Sequence, residues 1–247
     1  RELARAGRRV LILEQGGAAP LSGTVTQMAA MAAVPGRAAF IHRDASLLVG
    51  GATLGGSSAV NFATAAPPPR ALFAAYGIDL EPALTALRAE LPMAPLPDHL
   101  VGPMAARIAG AARAIGLDWR KLDKMIRPAI CRSGCWRCAY GCPFGAKWSA
   151  REFVEQAVRL GALLQARSRV TRVLLEDGRA AGVEVLQEGR LHTVRAPLVV
   201  LAGGGVGSPR ILHASHLAPR HAPFFSDPVV AGMGTVDDVD GGAEVPM

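Results

Sequence analysis

A short apolar run closed by an acid, Arg9-Val-Leu-Ile-Leu-Glu14, follows a helical stretch that ends on Gly7. So short and apolar a run suits a parallel strand covered by helices on both faces. A helix feeding such a strand is half of a βαβ unit, which constrains the chain to an α/β architecture from its first residues. The pattern returns at Leu198-Val-Val-Leu-Ala202, followed by Gly203-Gly-Gly205 and a helix opened by Ser208-Pro209, with proline in its first turn. Between these runs, Val170 to Glu176, Gly182 to Leu186 and Leu191 to Arg195 read as three short strands, with turns at Asp177-Gly178 and Glu188-Gly189. The expected fold class is α/β, a Rossmann-like dinucleotide-binding domain with a parallel sheet and a three-stranded β-meander.

The remaining segments set the domain plan. Residues 15–66 are rich in glycine and poor in periodicity, which predicts a long functional loop with one helical stretch near Thr24 to Val34. Pro67-Pro-Pro69 breaks the chain and marks a boundary. Glu81 to Leu91 and Val101 to Gly116 carry helical spacing, and Arg151 to Leu160 is a helix with Ser149 before it and Gly161 after it. The plan is a first part of the nucleotide-binding domain over 1–66, a helical insertion over 67–130, a cysteine-rich segment over 131–148, the second part over 149–216, and the start of a truncated second domain over 217–247. Arg1 lies inside a helical pattern with no methionine, and Met247 follows no capping signal, so the sequence reads as a fragment.

With 247 residues, half of them hydrophobic, the chain can fill a core, which excludes a disordered tail. Its apolar runs are too short to span a bilayer. Lys and Arg number 27 against 20 Asp and Glu, a net charge of +7. That charge is diffuse: the one local basic cluster, Arg120 to Arg127, lacks interleaved aromatics, so nucleic acid is not an expected partner.

Glu14, at the carboxyl end of the first strand, stands where a dinucleotide fold places the acid that holds the adenosine ribose. The accompanying Gly-x-Gly-x-x-Gly turn belongs about 20 residues upstream, outside the sequence. In Gly50-Gly-Ala-Thr-Leu-Gly-Gly-Ser-Ser-Ala-Val-Asn61, four glycines and two serines suit a backbone that must approach a pyrophosphate or a flavin ring closely. Leu54, Val60 and Phe62 interleave with them and predict an ordered loop.

The succession Leu-Glu-Gln-Gly, Gly-Gly-Ser-Ser-Ala-Val-Asn and Val-Val-Leu-Ala-Gly-Gly-Gly-Val-Gly-Ser-Pro-Arg-Ile-Leu resembles the glucose-methanol-choline (GMC) oxidoreductase family from Arg1 to about His216. The resemblance implies a FAD-binding domain interrupted by a substrate domain, and oxidation of an alcohol by hydride transfer to flavin N5. It also implies roles: Glu14 on the ribose; Gly51, Gly55, Gly56, Ser57, Ser58 and Asn61 along the diphosphate and flavin; Val170 meeting adenine through its backbone. Ala202 and Gly203 would cover the cofactor near Gly207 and Ser208. Gly203-Gly-Gly205 departs from the alanine-rich version usual in the family. None of His42, His99, His192, His213, His216 or His221 matches the family's catalytic histidine, so no catalytic base is assigned.

All four cysteines fall in Cys131-Arg-Ser-Gly-Cys135-Trp-Arg-Cys138-Ala-Tyr-Gly-Cys142-Pro143. Its ending repeats the C-x3-C-P of the bacterial ferredoxin run, with a first gap one residue longer. The segment could wrap an iron-sulfur cluster, hold a zinc ion, form disulfides after export, or pack a turn as reduced thiols. Some members of the resembled family are likewise cysteine-rich before a Gly-Ala-Lys-x-Ser step, here Gly145-Ala-Lys147-Trp-Ser149. A cluster there would carry electrons from flavin to an acceptor protein and make the enzyme a dehydrogenase. The tail from Phe224 to Asp240 reads as the first strand and turn of the truncated substrate domain, since its acids do not match a calcium loop.

The leading expectation is a FAD-dependent oxidoreductase acting on CH-OH groups, an alcohol or sugar/long-chain alcohol dehydrogenase with a small-molecule alcohol substrate, cytoplasmic or peripheral to a membrane, with any export signal upstream of Arg1. Two alternatives stand beside it: a flavin reductase of another class on the same fold, and a cofactor-binding or electron-transfer module without its own catalysis.

Overall fold

The computed structural model describes residues 1–43, 45–221, 234–239, 242, 244 and 245. In chain order its elements are α1 (Glu2–Arg5), β1 (Leu11–Leu13), α2 (Val25–Ala32), β2 (Ala39–Ile41), β3 (Leu47–Val49), β4 (Thr64–Ala65), α3 (Arg70–Ala75), α4 (Glu81–Glu90), β5 (Met93–Pro95), α5 (Pro103–Ala114), β6 (Asp123–Met125), α6 (Arg151–Arg159), β7 (Leu163–Gln165), β8 (Arg169–Glu176), β9 (Arg179–Gln187), β10 (Arg190–Arg195) and α7 (Gly204–Ala214). They divide into two compact units. The first is Arg1–Ala18, Ala52–Leu54 and Phe153–Thr235; the second is Ala19–Gly51, Gly55–Glu152 and Val236–Met247.

In the first unit, β1 and β7 pair in parallel with Leu11 opposite Leu163. Ala4 of α1, Ala157 of α6 and Ala162 form a small buried cluster joined by Val10 and Ile12, so one face of β1 is packed, while Leu11 and Leu163 stay exposed rather than covered on both faces as the apolar run predicts. The guanidinium of Arg1 lies 4.0 Å from the Phe153 ring centroid and fixes α1 against α6. The meander β10-β9-β8 is antiparallel throughout. Both of its turns have positive φ at their two central residues, 50° and 74° at Asp177-Gly178, 50° and 78° at Glu188-Gly189. Such primed turns match the right-handed twist of the strands they join. The Ser215 hydroxyl accepts a hydrogen bond from Val173 N at 2.7 Å and donates to Ile211 O at 2.6 Å, which docks the end of α7 on β8.

The α/β class with its meander is therefore as expected, with two further local differences. Leu198 to Ala202 pairs with no described strand, and Leu198 and Val200 are 66% and 68% exposed. An apolar run becomes a strand only where a neighbour completes its ladder. Second, α7 begins at Gly204 rather than Ser208 and carries Pro209 in its interior.

The second unit is built from short elements. Residues 15–66 hold more regular structure than a loop: α2, capped by the Thr24 hydroxyl accepting from Gln27 N, and an antiparallel hairpin β2-β3. Two three-residue strands so close together leave too little alternation to be seen beneath the glycines. A three-stranded sheet β4-β6-β5 crosses the segment expected to be mainly helical. Its core gathers Ala63, Leu96, Leu100, Ile126, Cys138 and Val245. Glu244 caps α5: its Oε1 accepts from Met104 N at 2.6 Å and its Oε2 from Ala105 N at 3.1 Å. A carboxylate at a helix N-terminus satisfies orphan N–H groups and complements the helix dipole. Of the tail expected as strand and turn, Phe224 to Val230 lies outside the described residues, while Asp237 and Asp238 form a turn. Among the described residues no helix is long and apolar enough to cross a membrane.

Candidate functional site

In the first unit, Glu14 leaves β1 half-buried. Its Oε1 accepts from Gly16 N at 2.6 Å, and its own carbonyl accepts from Ser168 N at 2.8 Å. Burial raises its pKa, opposed by the Gly16 hydrogen bond. A carboxylate held this way keeps a second oxygen for hydroxyl donors. Arg167 N donates to Gly16 O at 2.9 Å, so the turn after β7 is tied to the turn after β1. Val170, two residues beyond Ser168, sits in β8 opposite Val185. A Cβ added at Gly16 would lie 2.1 Å from Ala52 O, so only glycine allows this approach. Ala202, Gly203, Gly207 and Ser208 gather at the head of α7, where the Ser208 hydroxyl accepts from Gly203 N at 2.9 Å. Nothing lies within 4 Å of a Cβ built at Gly204 or Gly207, so backbone there is open to a ligand.

In the second unit, Gly51, Gly55, Gly56, Ser57, Ser58 and Asn61 come together in one tight turn. A Cβ at Gly51 would sit 2.6 Å from Gly56 O, and one at Gly55, whose φ is +89°, would sit 2.7 Å from Arg151 N. Gly56, also at positive φ, has nothing within 4 Å of its Cβ position. The turn is thus closed on its inner side and bare on its outer side. Ser57 Oγ accepts from Gly51 N at 3.1 Å; Ser58 Oγ donates to Gly55 O at 2.5 Å and accepts from Ala150 N at 2.9 Å. Asn61 Oδ1 accepts from Ala63 N at 3.0 Å.

Lys147 holds this turn from beneath. Its buried ammonium donates to three carbonyls, Ala59 at 3.0 Å, Asn61 at 2.6 Å and Cys138 at 2.8 Å, which uses all three of its protons. Burial pulls its pKa down to about 8. The Gly-Ala-Lys-x-Ser pattern pointed at this residue without giving its task. Arg127 pairs with Glu152 through both guanidinium nitrogens, at 3.0 and 2.7 Å, and its pKa is raised by that hydrogen bonding. Neither side chain stood out in the sequence, because the partners lie 25 residues apart.

Cys131, Cys135, Cys138 and Cys142 line one cavity with Lys147, and its volume is about 10 Å³. That is room for about one water molecule, roughly 10–15 Å³, and far too little for an iron-sulfur cluster. Although all four thiols reach it, no three His, Cys, Asp or Glu side chains among the described residues converge well enough to hold a metal ion. The four-thiolate ligand set expected from the spacing is therefore not assembled in this arrangement, and all four cysteines are free thiols. Burial drives the Cys138 thiol up to about 11 against the pull of the Lys147 and Lys124 ammoniums, and raises Cys131 as well. Protonated thiols pack as small hydrophobes, and Cys138 does so within the core.

A family model described as GMC oxidoreductase matches residues 11–235. Two uncharacterised GMC-type oxidoreductases from strains of Mycobacterium tuberculosis are each 31% identical over 267 residues, covering 96% of this chain and 42% of the relative. A C-glycoside 3-oxidase of Microbacterium trichothecenolyticum is 50% identical over 54 residues, 21% of this chain and 10% of that protein. Among solved structures, pyridoxine 4-oxidase from Mesorbium loti superposes with a TM-score of 0.65 at 21% identity, covering 87% of this chain and 48% of that one. At that identity the likeness speaks for the fold. The chain spans less than half the length of these relatives.

Proposed function

The chain belongs to the GMC oxidoreductase family, and from that premise we propose that it is the flavin-holding part of a FAD-dependent enzyme that oxidises the CH-OH group of an alcohol. When bound, FAD would supply the two-electron acceptor, taking the hydride from the alcohol carbon at flavin N5 while the hydroxyl proton would pass to a base or to water, so that the C–OH group would become a carbonyl.

The single observation that supports this most is the glycine turn at 51–56, closed by backbone on one side and bare on the other. Such a turn lets a phosphate or a planar ring approach main-chain N–H groups more closely than any Cβ would allow. In this reading Gly51, Gly55, Gly56, Ser57, Ser58 and Asn61 receive the diphosphate and flavin, and Lys147 keeps their backbone in place. Glu14 accepts from the ribose hydroxyls, Val170 meets adenine through its backbone, and the first turn of α7, beginning at Gly204, offers its N-terminal N–H groups beside Ala202, Gly203, Gly207 and Ser208. No step is assigned to the cysteines.

The experiment is anaerobic. The complete protein, purified with its flavin, is mixed with alcohols, and the absorbance near the oxidised flavin band is followed. Bleaching by an alcohol, and loss of flavin in Gly56→Val, are the expected results. A protein without flavin, or a flavin reduced by NAD(P)H and by no alcohol, would sink the reading.

A further inference from the structure

A recess of about 410 Å³ opens within the second unit between α2, β3, the glycine turn and the cysteine segment. Its volume lies within the range of small-molecule pockets, about 300–1,000 Å³. Met28 and Ala32 come from α2, Val49 from β3, Phe62 from just beyond Asn61, and Ala139 from the cysteine segment. Phe62 and Val49 are 55% and 50% exposed, so the recess presents apolar surface that nothing in this unit covers.

The polar side chains on its wall, among the described residues, are Ser57, Asn61 and Tyr140. Two already serve the backbone: Ser57 Oγ accepts from Gly51 N, and Asn61 Oδ1 from Ala63 N. A polyhydroxylated ligand placed here would find side-chain partners only along the Ser57, Asn61 and Tyr140 edge, and hydroxyls laid against Met28, Ala32, Val49, Phe62 or Ala139 would give up water for no partner, each at a cost. A hydrocarbon body instead removes apolar wall and apolar ligand from water together.

We infer that this recess receives the body of the substrate, and that the substrate is an alcohol carried on an aliphatic or aromatic body rather than a sugar. The inference rests on the flavin reading above and adds the substrate class to it. Ser57 and Asn61, at the edge shared with the glycine turn, mark the polar end, so the hydroxyl-bearing carbon points there and the hydrocarbon lies towards α2 and Ala139.

The test uses the complete protein loaded with FAD and two probes that share a carboxamide head, octanamide and gluconamide. Calorimetry with the oxidised enzyme is expected to show octanamide binding at least about tenfold more tightly, the discrimination an apolar pocket gives through a few methylenes. Ala139→Phe and Val49→Trp, which fill the recess from two sides, are expected to weaken octanamide at least about tenfold while flavin content stays unchanged. Val49 is half exposed, so its variant keeps the test open if Ala139→Phe fails to fold. Equal or tighter binding of gluconamide overturns the inference, as does octanamide binding that neither variant weakens. Release of flavin by the filling variants also overturns it, because the recess would then be part of the cofactor's seat. Calorimetry needs no turnover, so failure of the flavin reading, seen as a flavin no alcohol bleaches, stays distinguishable.

Discussion

The two units are ordered by different means. In the first, pattern and backbone suffice: a parallel strand pair, an eight-residue and a nine-residue strand joined by a primed turn, and a helix docked by one serine hydroxyl. In the second, strands are two or three residues long, and order comes from charged side chains that reach distant backbone: Lys147 into three carbonyls, Glu244 into the head of α5, Arg127 onto Glu152. Local pattern builds a scaffold cheaply, whereas an irregular segment needs its polar groups satisfied one at a time.

Trp119, Trp136 and Trp148 all lie in the second unit, so their fluorescence reads that unit, while amide exchange of the β8, β9 and β10 residues reads the strands of the first. The largest expected effect is Lys147→Met. It leaves the Ala59, Asn61 and Cys138 carbonyls without their donor, the Ala59 and Cys138 ones buried at about 1–3 kcal/mol each, and should shift the urea transition seen by fluorescence by at least about 2 kcal/mol while the strand signal holds. Simultaneous collapse of both signals would break the contrast. Gly16→Ala forces a Cβ against Ala52 O and should cost about 2 kcal/mol in the strand transition, leaving fluorescence in place. Glu244→Gln keeps the shape of the α5 cap but removes its charge, and about 1 kcal/mol should disappear from the fluorescence transition. An unchanged midpoint would show that the cap is ornamental. The smallest effect runs the other way: Glu188→Asn suits the positive φ of its turn and should stabilise the strand transition by about 0.5 kcal/mol.

The same division decides what the sequence disclosed. Thr24 before a helix, Asp177-Gly178 and Glu188-Gly189 between alternating runs, and Gly161 after Arg159 are local signals, and each element stands where they point. Leu198 to Ala202 carried an equally apolar signal and is unpaired, because a strand's existence depends on a neighbour no local rule can see. The glycine turn was legible as a motif; its support was not, since Lys147 and Asn61 are 86 residues apart. The cysteine spacing suggested ligands, but spacing along the chain does not fix whether burial favours thiols or thiolates.

The bond between Glu244 and Met104 also orders events in time. Its partners are 140 residues apart, and synthesis at roughly 5–20 residues per second separates their appearance by roughly 7–28 s. Until Glu244 emerges the head of α5 can turn only to water for its N–H groups, whereas Lys147, once made, finds Ala59, Asn61 and Cys138 already in the chain ahead of it. A nascent chain therefore secures its glycine turn before it secures this helix, and a chaperone that meets it before Glu244 emerges finds α5 as the unfinished part.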